Sequence, residues 1–370
     1  MKSTSISRGR RAAAAGTLAL ALVGSLAACG NNDTSGSGSG NGSTGLSGTV
    51  AGGGSSAQET AQEAWRAGFG QANPDAKISY DAVGSGTGRE NFISGSYKYA
   101  GTDSAMTSDE LASAAKTCGG DPIQVPVFIS PVDVAFNLPG VKTLNLDAAT
   151  IGSIFAGDIT TWNDSAIAQQ NPGVKLPSTK ISPVHRSDSS GTTDNFTDYL
   201  YQASNGSWKT EHSSDWPTTK GESAEGTSGV VGAIQGGEGT IGYADDSAVK
   251  DTGLGIVSLK VGSDYVAPSA EGASAGLAAS ELATGTPDTV MQYNINRTTT
   301  DPSTYPLFLA SYEVACQSYD DKATADIVKG FLTYMISDAG QKAAAANAFS
   351  AVLPADIASK AQTIVDKIGS

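Results

Sequence analysis

Apolar residues recur along the chain with two alternating periods. Ile78, Tyr80 and Ala82 occupy every second position, which predicts a strand, whereas apolar residues three and four positions apart predict a helix over about 57–71. Segments of these two kinds alternate through most of the sequence after residue 48, and short turns separate them. This alternation predicts an α/β fold with mostly parallel sheets flanked by helices.

Two longer apolar passages interrupt the alternation. One covers 123–137 and contains Pro126 and Pro131, and the other covers 306–315. Because proline has no backbone N–H to donate, it is rarely found inside a central strand. The first passage is therefore predicted to be a long connection between two parts of the fold rather than a central strand.

Four of the predicted strand-to-helix turns share glycine, hydroxyl or acidic residues, and they cover 52–56, 84–88, 101–104 and 186–192. In α/β sheets, ligands bind beyond the carboxyl ends of strands, where helix N-termini leave N–H groups unpaired and attract anions. The repetition predicts an anion-binding site at these turns. Taken singly, each turn is also explained by a flexible connection or an ordinary Ser or Thr helix cap.

The turn at 186–192 carries the strongest chemical signal. It places Ser190, Gly191 and Thr192 at the start of a predicted helix. Arg186 adds a planar guanidinium, the side chain best matched to a tetrahedral oxyanion. Asp188 is placed to hold Arg186 in position rather than to contact the anion.

Composition and charge narrow the function classes. The 370 residues are long enough for two domains, and 39% of them are hydrophobic, which is enough for real cores. The formal net charge is −14, although the first 28 residues are basic. A surface this acidic argues against nucleic acid or anionic lipid as the partner, while a small anion in a closed cleft remains compatible with it.

The N-terminus is similar to a bacterial lipoprotein signal. Basic residues precede an apolar run over 18–23, and Leu26-Ala27-Ala28-Cys29 follows it. The run is shorter than the roughly 20 residues that a membrane span needs. Residues 1–28 are therefore predicted to be a lipoprotein signal peptide with Cys29 as the lipidated residue, and 29–47 a flexible Gly/Ser tether. A cleaved secretory signal with an incidental cysteine is the alternative.

The remaining cysteines are Cys118 and Cys316. Two cysteines in an exported chain suggest one disulfide, and two unpaired buried thiols are the alternative. The two histidines and the acidic residues show no metal-ligand spacing, and the 84–88 turn lacks the later glycine of a dinucleotide fingerprint. No metal and no cofactor is predicted.

The turns together resemble the PstS-type phosphate-binding lipoproteins of ABC phosphate importers, which belong to the class II periplasmic-type solute-binding proteins. The stretch from Arg186 to Thr192 matches that family's Arg-x-Asp-x-Ser-Gly-Thr pattern without a gap. Further matches are Gly84-Ser85, Thr102-Asp103, Asn137-Leu138-Pro139-Gly140 and Leu176-Pro177-Ser178. One departure is the first turn, which reads Gly54-Ser55-Ser56-Ala57 where the family commonly has Ala-Thr-Phe-Pro.

The resemblance implies a set of phosphate ligands. Carried over residue by residue, with Asp188 supporting the arginine, they are Ser55, Ser56, Ser85, Asp103, Arg186, Ser190, Gly191 and Thr192. The lost aromatic in the first turn puts the packing of that turn and the tightness of cleft closure in question.

The resemblance also implies the architecture, a two-lobed periplasmic-binding-protein-like fold with the ligand cleft between the lobes. Lobe one would combine 48–129 with 307–370, and lobe two would be 130–306. The crossings would lie near 129–136 and 300–310. Both Cys118 and Cys316 would then lie in lobe one.

The implied function is extracytoplasmic capture of inorganic phosphate by a lipid-anchored, non-catalytic monomer that delivers it to a transmembrane permease. A binder of another tetrahedral oxyanion such as sulfate is the first alternative. Asp103 discriminates because an ionised carboxylate accepts a hydrogen bond that protonated phosphate can donate and fully ionised sulfate cannot. A secreted phosphatase or serine hydrolase using Ser190 with His185 is a further alternative, although no GxSxG surrounds Ser190. An extracellular adhesion module is the last.

Overall fold

The computed structural model describes residues 45–369, so the predicted signal peptide, Cys29 and most of the tether lie outside the described residues. Strands and helices alternate through this part of the chain. In order they are β1 (Gly48–Gly54), α1 (Glu59–Ala72), β2 (Ala76–Asp81), α2 (Ser85–Ile93), β3 (Tyr99–Thr102), α3 (Ser108–Cys118), β4 (Pro122–Phe136), β5 (Thr143–Leu146), α4 (Ala148–Ala156), α5 (Ser165–Gln170), β6 (Ser182–Arg186), α6 (Gly191–Ala203), β7 (Glu222–Ala224), α7 (Gly226–Gly236), β8 (Thr240–Asp245), α8 (Asp246–Val249), β9 (Gly255–Val261), β10 (Asp264–Val266), α9 (Ala270–Ala278), β11 (Glu281–Leu282), β12 (Tyr293–Asn294), β13 (Phe308–Cys316), α10 (Lys322–Ile336), α11 (Asp338–Ala348) and α12 (Ala355–Val365).

One mixed sheet organises the fold. Its strand order is β2-β1-β3-β13-β4-β8-β6-β7, and β9 joins β4 to β5 and β10. The strands at each side pair in parallel, as β1 does with β2 and β3, and β6 with β7 and β8. In the middle, β13 is antiparallel to both β3 and β4, and β4 is antiparallel to β8. The predicted α/β class with parallel strands therefore holds on both sides, and the long strands β4 and β13 form the antiparallel pairs that connect the two sides.

The prediction that the prolines keep 123–137 out of a central strand is wrong. Strand β4 is buried along its whole length between β13 and β8. Pro126 pairs with Tyr312 beside an irregularity, where the register with β13 shifts between Ser311 and Tyr312. Pro131 lies where β4 exchanges its partner, since Val132 already pairs with β8. Because the ladder is interrupted at both places, the missing proline N–H groups remove little hydrogen bonding.

Two large hydrophobic clusters lie along this sheet. In one, α1, α10, α11 and α12 pack against the sheet, and Trp65 meets Phe128 edge to face with ring centroids 6.3 Å apart. In the other, α4 and α6 pack against β4, β8 and β9, and Phe155 meets Phe196 at 4.8 Å. Burial of aromatic side chains supplies a large part of the driving force for such packing. Two separate hydrophobic clusters are what a two-lobed fold requires, because each lobe needs a core of its own.

Cys118 and Cys316 form a disulfide, with their Cα atoms 5.2 Å apart. Cys118 ends α3 and Cys316 ends β13, so the bond joins this helix to the central sheet. The two residues are separated by 198 positions, and a cross-link over so long a loop restricts the unfolded chain strongly.

Replacing both cysteines by serine should lower the free energy of unfolding. The chain-entropy relation gives about 5 kcal/mol as an upper figure for a loop of this length. Urea unfolding of the double variant and of the unreduced parent, followed by tryptophan fluorescence, measures the difference. In a Cys29→Ala background, two titratable thiols in the unfolded, unreduced parent would contradict the disulfide.

Candidate anion-binding site

Asp103 follows β3 and lies in one of the four turns. Two of the other turns bond its carboxylate, and the third bonds its backbone N–H. The Ser55 hydroxyl donates to Asp103 Oδ1 at 2.6 Å, and the Thr192 hydroxyl donates to Oδ2 at 3.2 Å. The Asp103 N–H donates to Ser85 Oγ at 3.1 Å. All four residues are almost completely buried. Side chains from distant parts of the sequence are therefore gathered around one carboxylate at the carboxyl ends of the strands.

Glycine allows the turns to approach so closely. Gly54 has a φ of +142°, and a Cβ at this position would collide with the carbonyl oxygen of Gly101. A Cβ at Gly191 would lie 2.7 Å from the Cβ of Asp103 and 2.8 Å from Ser85 Oγ. Any larger residue at these two positions would push the turns apart.

The N-terminus of α6 faces this group. Ser190 caps the helix, because its Oγ accepts from the Thr193 N–H at 3.2 Å. The N–H groups of Gly191 and Thr192 lie in the first turn, where no intrahelical acceptor exists and the helix dipole is positive. The Asn195 amide donates to the carbonyl of Asp103 at 2.7 Å and to that of Gly191 at 2.9 Å. Asn195 thus holds the helix start against the β3 turn.

Arg186 ends β6 and is only 3% exposed. Its Nε donates to Asp188 Oδ1 at 2.8 Å, and its Nη2 pairs with Asp188 Oδ2. Gly226 N–H also donates to Asp188 Oδ1, at 3.0 Å. Burial raises the pKa of Asp188, but the hydrogen bonds and charge of Arg186 outweigh it, so the pKa lies below its ordinary value. Asp188 therefore stays ionised and fixes the orientation of the guanidinium.

Ser56 is placed differently from the other predicted ligands. Its hydroxyl shares a hydrogen bond of 2.9 Å with the Thr227 hydroxyl, and it accepts from the Thr227 N–H at 3.2 Å. The side chain thus joins the first turn to the start of α7 instead of the group around Asp103. The backbone N–H is the remaining donor of Ser56.

Burial raises the pKa of Asp103 above its ordinary value, although four contacts act in the opposite direction. In order of size they are hydrogen bonds from Ser55 and Ser311, the charge of Arg186 and the hydrogen bond from Thr192. Ser311 was not among the predicted site residues, although it donates to Asp103 Oδ1 at 2.7 Å. The signal that could have revealed it is the pair Ser311 and Glu313, two polar residues at alternate positions within the otherwise apolar passage 306–315.

Comparison with known proteins gives a consistent result. The PBP superfamily domain matches residues 39–339. The phosphate-binding protein PstS 3 of Mycobacterium tuberculosis is 35% identical over 369 residues, which cover 97% of this chain and 99% of that protein. The phosphate-binding protein PstS of Methanocaldococcus jannaschii is 30% identical and covers 75% of each chain. The chain belongs to the PstS family of phosphate-binding proteins.

The fold of this PstS family member also has a solved counterpart. A high-affinity periplasmic phosphate-binding protein, PfluDING, superposes with a TM-score of 0.70 over 85% of this chain and 93% of that chain, at 23% sequence identity. The likeness shows that the two proteins share the periplasmic-binding-protein-like fold.

The hydrolase alternative would need Ser190 and His185 to meet, and the PstS-like structure holds His185 elsewhere. Its Nδ1–H donates to the Arg186 carbonyl at 2.9 Å, and its ring stacks on Trp216 with centroids 4.7 Å apart. Burial lowers the pKa of His185. Among residues 45–369 no hydrogen bond joins His185 to Ser190.

A cleft of about 680 Å³ opens beside Asp103. Polar side chains of both predicted lobes line it, among them Arg89, Asn195 and His212. Arg186 and Ser190 are not part of its lining, so the cleft adjoins the group of turns without containing it. The hydrogen bond that His212 donates to the Asp194 carboxylate raises the pKa of His212 to about 8. The cleft therefore borders Asp103 with groups of both charges.

Asp245, at the end of β8, is a second buried carboxyl in this region, 1% exposed. Its Oδ2 accepts from the Ser247 hydroxyl at 2.7 Å, while Oδ1 has no hydrogen-bond partner among the described residues. Burial raises the pKa of Asp245 to about 7, and the charge of Asp103 adds to the effect. The folded protein therefore keeps a proton on Asp245 at pH values where the unfolded chain has lost it.

Asp245→Asn should flatten the pH dependence of stability. Between the ordinary pKa of 3.8 and about 7 the native state binds more protons than the unfolded state, so the contribution of Asp245 to the free energy of unfolding falls as pH rises through this window. The variant cannot ionise, and urea unfolding at pH 5 and pH 8 should show a smaller difference than in the parent. Exposed Asp75→Asn is the control, and equal slopes in both variants would contradict the assignment.

Proposed function

We propose that the protein captures inorganic phosphate outside the cytoplasm and delivers it to an ABC-type importer without catalysing a reaction. The observation that carries this proposal is the buried Asp103 carboxylate among hydroxyl donors and a helix N-terminus. Membership of the PstS family and the names of the relatives support phosphate as the anion. Titration calorimetry of the purified chain with phosphate is the direct test, and absence of binding would refute the proposal.

The proposed ligands divide into donors and one acceptor. Asp103 is the acceptor and would take the hydrogen bond from the protonated oxygen of phosphate. The hydroxyls of Ser85 and Ser190 accept backbone N–H groups, and no acceptor for their own protons is found in residues 45–369. These protons are available to the other oxygens of phosphate. The remaining donors would be the Arg186 side chain and the N–H groups of Ser56, Gly191 and Thr192, whereas the hydroxyl protons of Ser55 and Thr192 are donated to Asp103.

The two predicted lobes give this arrangement a route for the ligand. With lobe one at 48–129 and 307–370 and lobe two at 130–306, the Thr192–Asp103 hydrogen bond crosses from one lobe to the other. Phosphate would enter when the lobes separate, and the contacts formed by all the turns together would favour closure. The crossings near 129–136, within β4, and near 300–310, which leads into the start of β13, would carry the hinge.

The location follows from the N-terminal sequence. Among the described residues, no helix has the length and apolar character needed to cross a bilayer. We infer attachment to the outer face of the cell membrane through lipid on Cys29, with 29–47 as a tether and the permease as the protein partner. The binding protein itself would act as a monomer.

Arg186→Ala should weaken phosphate binding by about 2 to 5 kcal/mol, because a desolvated anion loses its charged partner. Arg186→Lys should recover only part of the loss, since the planar fork is absent. Calorimetric titration measures the affinities, and the exposed Lys116→Ala variant controls for a general effect of charge. Thermal unfolding shows whether each variant is folded. A folded Arg186→Ala protein that binds within a factor of about two of the parent would refute the site.

Millimolar sulfate should not compete with phosphate near neutral pH. Phosphate keeps at least one proton there, whereas sulfate has none, so an ionised Asp103 would repel the bare sulfate oxygens. Burying an unpaired charge costs several kcal/mol, which makes a preference of about a thousandfold reasonable. A rightward shift of the phosphate titration in sulfate, beyond a chloride control of equal ionic strength, would contradict this role of Asp103.

Cys29→Ala should move the protein from the membrane fraction to the soluble fraction. One acyl chain holds a protein only marginally, so the proposal implies the multiple acylation of bacterial lipoproteins. Fractionation of cells that express the parent and the variant is the measurement. Ser37→Ala, a change within the predicted tether, should leave the distribution of the protein unaltered. Equal membrane fractions for parent and Cys29→Ala would refute the anchor.

A further inference from the structure

Four polar side chains form a buried row behind Asp103. Gln58 and Gln62 lie four residues apart at the start of α1, and Ser311 and Glu313 lie two apart on β13. These spacings place each pair on one face of its element, so the two pairs oppose each other. All four are 0% exposed. We call this group the buried polar row.

The hydrogen bonds of the row have a defined direction. Gln62 Nε2 donates to Glu313 Oε1 at 2.7 Å and to Gln58 Oε1 at 2.9 Å. Gln58 Nε2 donates to Ser311 Oγ at 2.7 Å and to the Tyr312 carbonyl at 3.2 Å. Each amide nitrogen therefore has an acceptor for both of its protons. The Tyr312 carbonyl can only accept, so it fixes the Gln58 amide with Nε2 toward Ser311 and thereby sets the direction at this end of the row.

This direction decides where the Ser311 proton points. Because Ser311 Oγ accepts from Gln58, its single proton is left to donate, and Asp103 Oδ1 lies 2.7 Å away. The other acceptor within reach, the Thr102 carbonyl, lies farther away at 3.4 Å. The row thus orients the hydroxyl toward the carboxylate.

The two oxygens of Asp103 consequently differ. Oδ1 receives two short hydrogen bonds, from Ser55 at 2.6 Å and from Ser311 at 2.7 Å. Oδ2 receives one longer hydrogen bond, from Thr192 at 3.2 Å. A carboxylate oxygen has two lone pairs, so Oδ1 is saturated and Oδ2 keeps accepting capacity. Oδ2 is therefore the oxygen that would meet a protonated ligand.

We propose that Ser311 and Gln58, anchored by Gln62 and Glu313, are positioning residues that keep Asp103 an acceptor and so favour a protonated tetrahedral anion over a fully ionised one. The inference rests on the proposed function, because it concerns the same site. Burial by itself favours a protonated Asp103, which would donate to a sulfate oxygen instead of repelling it. The two hydroxyl donors oppose this by stabilising the ionised form.

The test compares the dissociation constants of phosphate and sulfate for the full-length protein, measured by titration and competition calorimetry. Ser311→Ala should lower the ratio of the sulfate constant to the phosphate constant by about tenfold to a hundredfold, as expected for one hydrogen bond to a charged group. Gln58→Met, which keeps the length of the side chain but cannot orient Ser311, should lower the ratio by a smaller factor.

Ser130→Ala is the matched control. Ser130 is a fully buried serine on the adjacent strand β4, and within residues 45–369 its hydroxyl bonds only the carbonyl of its neighbour Pro131. The Ser130→Ala variant should leave the ratio of the sulfate to the phosphate dissociation constant unchanged. A parent that binds phosphate selectively while Ser311→Ala loses phosphate and sulfate affinity by one common factor would overturn the inference and leave the proposed function standing. A parent that binds no phosphate would overturn both.

Discussion

The burial of the Asp103 carboxylate places the strongest physical demand on this structure. A charged group removed from water loses several kcal/mol of hydration unless hydrogen bonds or an opposite charge replace it. Here the replacements are neutral hydroxyls from Ser55, Ser311 and Thr192, together with the more distant charge of Arg186. The contacts come from three separate parts of the sequence, so the carboxylate is satisfied only when the whole arrangement is assembled.

The mixed sheet makes this assembly possible. Strand β3 delivers Asp103, and its neighbour β13 delivers Ser311 beside it. Ser55 directly follows the end of strand β1, and β6 ends at the turn that leads to Thr192. Three antiparallel pairings separate these two strands, so their carboxyl ends point in opposite directions and the turns of the two sides of the sheet meet at Asp103. The antiparallel β13 adds a side chain from the middle of a strand, a position that turns cannot supply.

Arg186 and Asp188 solve a related electrostatic problem. A buried guanidinium without a partner would be costly, and one that paired only with the anion would be unpaired whenever the site is open. Asp188 balances the charge of Arg186, and in the proposed site this would leave selection among anions to direction-specific hydrogen bonds. The buried polar row acts in a similar way. It orients the Ser311 hydroxyl to donate to Asp103, and it places no further charge beside the proposed ligand.

Local pattern was sufficient to predict the α/β class, the turns at the strand ends and the helix start at Ser190. Each of these depends on residues close in sequence, through strand and helix periodicity and through the capping chemistry of hydroxyls. Pairing between distant segments decided the rest. Strand β4 can be central because its register with β13 shifts between Ser311 and Tyr312, next to Pro126. The hydrogen bond between Ser56 and Thr227 depends on how α7 packs. The role of Ser311 depends on its contact with the buried carboxyl group that follows β3, and the periodicity of one segment cannot predict a contact between two distant segments.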